Sequence, residues 1–177
     1  MQVGDLSRTS KGRFFINTVL LPRLASRLKE GSRVLFVGTD TNWDYKSLFF
    51  NPSILTNFET MDIKESLKPD IVGDISNCPQ IADNTYDFVI LIGVYEFVND
   101  KPAMFREIHR ILKPDGFALL SLPGRGYYES QNNHVEPWEV WEKIKPLKVK
   151  ELYVIEDTPT KPPSSVHVVA IREDAVC

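Results

Sequence analysis

Two glycines and two carboxylates close apolar runs along this chain, in the order Gly38, Asp62, Asp74, Gly93. In open α/β sheets, ligands gather at the carboxyl ends of strands, near the point where strand order reverses. Asp62 lies 24 positions after Gly38, near the roughly 20 that separate the glycine turn from the ribose-binding carboxylate in dinucleotide sites. A carboxylate at a strand end can accept two hydrogen bonds from a pair of ribose hydroxyls. The other reading of Asp62 is a turn or helix cap. Glu59 lies inside the same run and would face one side of the sheet. For proton chemistry the candidates are Glu96 and His134, each in a loop that follows an apolar run. Either side chain can take a proton from a nucleophile. Glu96 can equally cap the helix after it, and His134 can be a solvated loop residue. His109 falls on the polar side of a helix and His167 within a strand, so neither is placed for chemistry. Gly124-Arg125-Gly126-Tyr127-Tyr128 is glycine-rich but lacks the Lys-Ser/Thr ending of a phosphate loop. Arg125, Tyr127 and Tyr128 can hold an anionic or ring-bearing molecule, or simply pack the loop.

The elements that position these residues follow from hydrophobic periodicity. Phe14, Phe15, Val19, Leu20, Leu24 and Leu28 predict a helix within residues 12–30, kinked or split by Pro22 and stopped by Gly31. Residues 33–38 read as a first buried strand with its exit turn, 43–50 as a short helix, 57–61 as a second strand and 70–74 as a short third. Val89 to Ile92 form a continuous apolar run, as in a parallel strand covered on both faces. Ile108, Ile111 and Leu112 recur at helical spacing, and Lys113-Pro114-Asp115-Gly116 is expected to end that helix. A fifth strand, a helix over 138–144 carrying Val140, Trp141 and Ile144 on one side, and strands over 148–155 and 166–172 complete the chain. The last strand alternates polar and apolar residues as an antiparallel strand would. Alternating strands and helices mean a parallel α/β sheet.

The block from Asp87 to Glu96 (D-x-V-x-x-x-G-V-x-E) and the following Glu107-Ile108-His109-Arg110-Ile111-Leu112-Lys113-Pro114-Asp115-Gly116 resemble the central part of class I S-adenosylmethionine-dependent methyltransferases of the small-molecule type. The resemblance implies a Rossmann-like fold: one domain over residues 1–177, with a seven-stranded, mostly parallel sheet, an antiparallel last strand and helices on both faces. It implies S-adenosylmethionine as cofactor. Gly38 and Thr39 would adjoin its methionine part, Asp62 and Ile63 its ribose, Asp74 and Ile75 its adenine, and Gly93 and Val94 its methionine or ribose. Asp40 stands where the family commonly has a second glycine, and reads either as a partner for the cofactor's ammonium group or as a turn residue. Phe97 replaces the family's His after Glu96. The acceptor pocket would lie between the loops after strands four and five, with Tyr95, Arg125, Tyr127, Tyr128 and His134 around it. Transfer to an oxygen acceptor also needs a base, for which Glu96 and His134 are available. A methyltransferase-like scaffold or regulatory domain is the competing reading, favoured by Asp40 and Phe97. A nicotinamide-dependent reductase fits least, since later fingerprint glycines and a Tyr-x-x-x-Lys pair are missing.

A chain of 177 residues with 42% hydrophobic content fits one domain with a sizeable core. Its net charge of −3 disfavours nucleic acid as a partner and leaves a small-molecule substrate as the expectation. A protein partner or a homo-oligomer stays open. Cys78 and Cys177 form no metal motif or disulfide framework. No apolar run reaches the length of a membrane span and no signal-peptide core is evident, so the cytoplasm is the expected compartment.

Overall fold

The computed structural model describes residues 10–38, 57–127, 133–157 and 159–172. Seven strands form one sheet: β1 (Val34–Val37), β2 (Phe58–Asp62), β3 (Ile71–Val72), β4 (Tyr86–Ile92), β5 (Leu112–Pro123), β6 (Leu147–Ile155) and β7 (Ser165–Arg172). Their spatial order is β3-β2-β1-β4-β5-β7-β6. The first five are mutually parallel, and β7 runs antiparallel to both β5 and β6. The direction of winding reverses between β1 and β4, whose residues pair from Val34↔Phe88 to Val37↔Leu91. Gly38 and Gly93 therefore emerge side by side at the switch point.

The central strands are apolar throughout because both faces are covered. Leu35, Val37, Val89 and Leu91 point into one core, and Val34, Phe36, Phe88 and Ile90 into the other. The first core is closed by α3 (Lys101–Ile111) through Met104, Phe105, Ile108 and Ile111. The second is closed by a helical segment made of α1 (Lys11–Phe15), a π-helical turn (Ile16–Leu20) and α2 (Leu21–Ala25), through Ile16, Leu20, Leu21 and Leu24. A short α4 (Val140–Lys143) follows a 3-10 turn, Pro137–Glu139. Among the described residues no helix is long and apolar enough to cross a membrane.

Several expected boundaries move. The N-terminal helix is not broken by Pro22 and ends at Ala25. The chain widens into a π turn just before Pro22, which lacks the N–H and excludes the carbonyl four residues back. Lys113-Pro114-Asp115-Gly116 is not a helix stop. The chain passes from Ile111 directly into β5, and these four residues form a bulge as pairing jumps from Tyr86↔Leu112 to Phe88↔Phe117. Gly116 is needed there because a Cβ would come within 2.9 Å of the Lys113 carbonyl and 3.0 Å of the Tyr86 carbonyl. The expected alternation in β7 gives way to burial of every residue from Val166 to Ala170, because β7 is inserted between β5 and β6 rather than placed at an edge. Trp141 does not share the buried side of Val140 and Ile144; it is half exposed. The helix expected over 43–50 lies outside the described residues.

Candidate functional site

The switch point opens into a cavity of about 540 Å³ above β1, β2, β3 and β4. Gly38 has φ +88°, and a Cβ on it would sit 2.3 Å from Val94 Cγ2, so glycine is demanded twice. Its N–H donates to the Met61 carbonyl at 2.9 Å, tying β1's exit to β2. Gly93 has φ +68°, but among the described residues a Cβ there would meet only Arg13 Nη2, at 3.8 Å. The space above Gly93 is thus a cradle that a side chain would fill. Asp62 ends β2, and its Oδ1 accepts from the Lys64 N–H at 2.8 Å. Asp74 follows β3, and its Oδ1 accepts from both the N–H and the hydroxyl of Ser76, each at 2.8 Å. Gly38, Asp62, Ile63, Asp74, Ile75, Gly93 and Val94 all line this one cavity. Thr39 and Asp40 lie outside the described residues. The chain adds Arg13 from α1 to the wall, which the sequence reading did not single out.

A second cavity of about 210 Å³ adjoins the first, and Arg13, Ile92 and Gly93 line both. Its remaining wall includes Glu96, Ser121, Tyr127, Ser165 and His167. The residues expected around an acceptor divide sharply. Tyr127 and Glu96 line this space. Tyr95 does not: it is 3% exposed and packs on Phe105 with the Lys101 ammonium 5.0 Å from its ring centre. Burial above all pushes the Tyr95 phenol up to about 12, with Glu139 and Glu96 adding to it. Arg125 turns to the carboxylate of Glu136 at 2.5 Å, and His134 stands 3.8 Å from the same oxygen, so neither borders the two cavities. Tyr128 lies outside the described residues.

A family model described as a methyltransferase domain matches residues 14–151. The chain belongs to this methyltransferase family. A search of curated proteins found no match. Many solved structures share the fold. A SAM-dependent methyltransferase from Aquifex aeolicus superposes with TM-score 0.68 at 15% identity over 90% of this chain and 93% of that one. A putative type 11 methyltransferase from Sulfolobus solfataricus gives 0.64 at 20% identity, covering 89% and 92%. A chain of the complex between the Haloferax volcanii Trm112 methyltransferase activator and a putative methyltransferase gives 0.69 at 17%, covering 93% and 92%.

Within this methyltransferase domain, Glu96 does not cap the helix that follows. Asp100 does so, accepting from the Ala103 N–H at 2.8 Å. The Glu96 side chain is left in the wall of the smaller cavity. His167, set aside in the sequence because it lies within a strand, is 1% exposed and lines that same cavity. Its Nε2 stands 3.2 Å from Ser165 Oγ, and its Nδ1 is buried with no hydrogen-bond partner. Burial, with Arg13 close by, lowers its basicity to about 4, so the ring is neutral at pH 7. The glycine-rich Gly124–Gly126 stretch is a packing seam. A Cβ on Gly124 would lie 2.2 Å from the Pro163 carbonyl and one on Gly126 2.3 Å from that of Pro162. Among the described residues no cluster of His, Cys, Asp and Glu could hold a metal ion.

Proposed function

We propose that this domain binds S-adenosylmethionine in the larger cavity and passes its methyl group to a small molecule held in the smaller one. The observation that carries this reading is the shared wall: Arg13, Ile92 and Gly93 border both spaces. A volume of about 540 Å³ suits a nucleoside-bearing ligand, and about 210 Å³ is below the roughly 300–1,000 Å³ of drug-sized sites. One similar fold, the methyltransferase CalH, is a complex with SAH, which supports the choice of cofactor. Asp62 accepts from the ribose hydroxyls, Asp74 and Ile75 receive the adenine, and Gly93 leaves room for the chain between ribose and methionine. Bound there, the cofactor supplies a methyl carbon already activated as a sulfonium. The protein's own work is alignment, exclusion of water and acceptance of a proton. The cytoplasm is the proposed compartment.

Calorimetry with S-adenosylhomocysteine tests the reading. Saturable binding of the wild-type chain is the expected result. No binding at millimolar ligand sinks it and leaves a methyltransferase-like scaffold.

A further inference from the structure

The two cavities follow one another along the carboxyl edge of the parallel strands. The larger lies over the ends of β3, β2, β1 and β4, at Asp74, Asp62, Gly38 and Gly93. The smaller continues from Gly93 over β5 and β7, at Ser121 and His167. Adjacent strands stand about 4.8 Å apart, so three steps from β3 to β4 cover roughly 14 Å. A cofactor with its adenine at Asp74 and its ribose at Asp62 therefore brings its amino-acid arm, which ends in a carboxylate, to Gly93. Among the described residues the cationic side chains in the wall of the larger cavity are Arg13 and Lys64. Lys64 donates its N–H to Asp62, two residues before it, and so belongs to the ribose end. Arg13 stands at the other end. Its Nη2 faces the open side of Gly93, 3.8 Å from where a Cβ would be. Its charge also acts on His167, which sets the guanidinium between the cradle and the smaller cavity.

We propose that Arg13 binds the carboxylate of S-adenosylmethionine, and that this contact holds α1 over the smaller cavity, so that the acceptor's site is complete only with the cofactor in place. The proposal rests on the cofactor occupying the larger cavity. A guanidinium offers five N–H donors in a planar fork, enough to take a carboxylate alongside other partners. A guanidinium beside a sulfonium repels it, and the cofactor's own carboxylate cancels that repulsion. The N-terminal helical segment closes the smaller cavity with its N-cap Ser10 and with Gly12, Arg13 and Ile16. Gly12 lets it lie close, since a Cβ there would fall 2.4 Å from Ser165 Oγ. The segment is fastened unevenly along its length. Its far end buries Leu20, Leu21 and Leu24 and is tied to β6 by Arg23 and Glu151. Of the five residues of α1 only Gly12 is buried. A turn with so little buried apolar surface opens at low cost, and a ligand contact from within it has the most to add.

Calorimetry of the full chain with S-adenosylhomocysteine and with its decarboxylated analogue tests the carboxylate contact. Wild type should bind S-adenosylhomocysteine at least about tenfold more tightly than the analogue, the effect of one or more charge-assisted bonds. Arg13→Ala should lose about the same factor for S-adenosylhomocysteine and stay within about twofold for the analogue, so the preference disappears. Arg13→Lys keeps the charge without the fork and should restore part of it. Lys64→Ala should keep the preference. Should Arg13→Ala fold poorly, Arg13→Gln, which keeps the aliphatic stem, takes its place. Amide hydrogen exchange reads the hold on α1. At saturation, S-adenosylhomocysteine should slow exchange over residues 11–20 of wild type more than the analogue does, and in Arg13→Ala the two should protect equally. A wild-type preference retained by Arg13→Ala, a preference lost in Lys64→Ala instead, or equal protection of wild type by both ligands overturns the proposal while cofactor binding stands. Failure of wild type to bind S-adenosylhomocysteine overturns the cofactor reading, and the proposal falls with it.

Discussion

Asp62 and Asp74 stand at the ends of neighbouring strands, and each anchors its carboxylate by the same turn bond, accepting from the N–H two residues on. Asp74 Oδ1 accepts from both the N–H and the hydroxyl of Ser76, and Asp74 lines the same cavity. Asp62 Oδ1 accepts from the Lys64 N–H, which orients the carboxylate at the cavity wall. Two charge-assisted bonds from a ribose diol are worth roughly 1.5–3 kcal/mol each. Asp62→Ala should therefore weaken S-adenosylhomocysteine binding at least about tenfold by calorimetry, and Asp62→Asn less so. Equal affinity of Asp62→Ala and wild type would refute the ribose assignment. Both positions at the cavity were legible in the sequence because Asp62 ends β2 and Asp74 lies two residues past β3, a local signal. Arg13 and His167 were not. Arg13 reaches the cavity only because α1 crosses the carboxyl end of the sheet, and His167 only because β7 enters between β5 and β6. No spacing along the chain encodes either event.

At the scale of elements, the two strand-end glycines are required for different reasons, and stability measurements can tell them apart. Among the described residues Gly93→Ala meets nothing closer than 3.8 Å, so it carries the left-handed backbone penalty, about 1–2 kcal/mol. Gly38→Ala carries the same penalty plus a 2.3 Å collision with Val94 that either β1 or β4 must yield to relieve. Urea unfolding should show the Gly38 variant losing clearly more stability. For cofactor affinity, Gly93→Ala should lose markedly despite its milder unfolding, because its Cβ enters the cradle. Reversal of the stability order would contradict the packing described. The helix after β4 gives a parallel contrast. Asp100→Ala removes the N-cap of α3 and should cost about 1 kcal/mol. Glu96→Ala, which removes no cap, should leave the start of α3 intact by amide hydrogen exchange, whereas Asp100→Ala should fray it. The order of strands and helices was legible from periodicity, since each central strand is buried on both faces. The edges of elements were not. The Lys-Pro-Asp-Gly segment has the composition of a helix stop, yet pairing of Leu112 with Tyr86 pulls it into a strand bulge.

At the scale of the molecule, Glu107, Glu151 and His167 bind protons differently in the folded and unfolded chain on the acid side of neutrality, and they shape how stability follows a falling pH. The Arg110 guanidinium beside Glu107 holds that carboxyl at about 2, with the Cys78 thiol and N–H also donating to it. The Arg23 guanidinium does the same for Glu151, on the opposite face of the sheet, with Tyr153 and Arg27 assisting. Folded values below the ordinary 4.5 mean that this stabilisation is present above pH 4.5 and lost as pH falls toward 2. His167 acts earlier. Burial keeps its ring neutral down to about 4, whereas the unfolded chain takes up the proton near 6.5. The unfolded state therefore binds more protons between those values, and stability falls as pH falls through that window. At about 1.4 kcal/mol per pKa unit the loss is at most about 3 kcal/mol. For a chain of this length that lowers the thermal midpoint by roughly 6–12 °C between pH 7 and 4. His167→Asn should flatten the slope between pH 6.5 and 5, whatever its absolute midpoint, while the decline below pH 4.5 remains. Identical slopes for wild type and variant between pH 6.5 and 5 would mean that His167 is not a buried neutral ring.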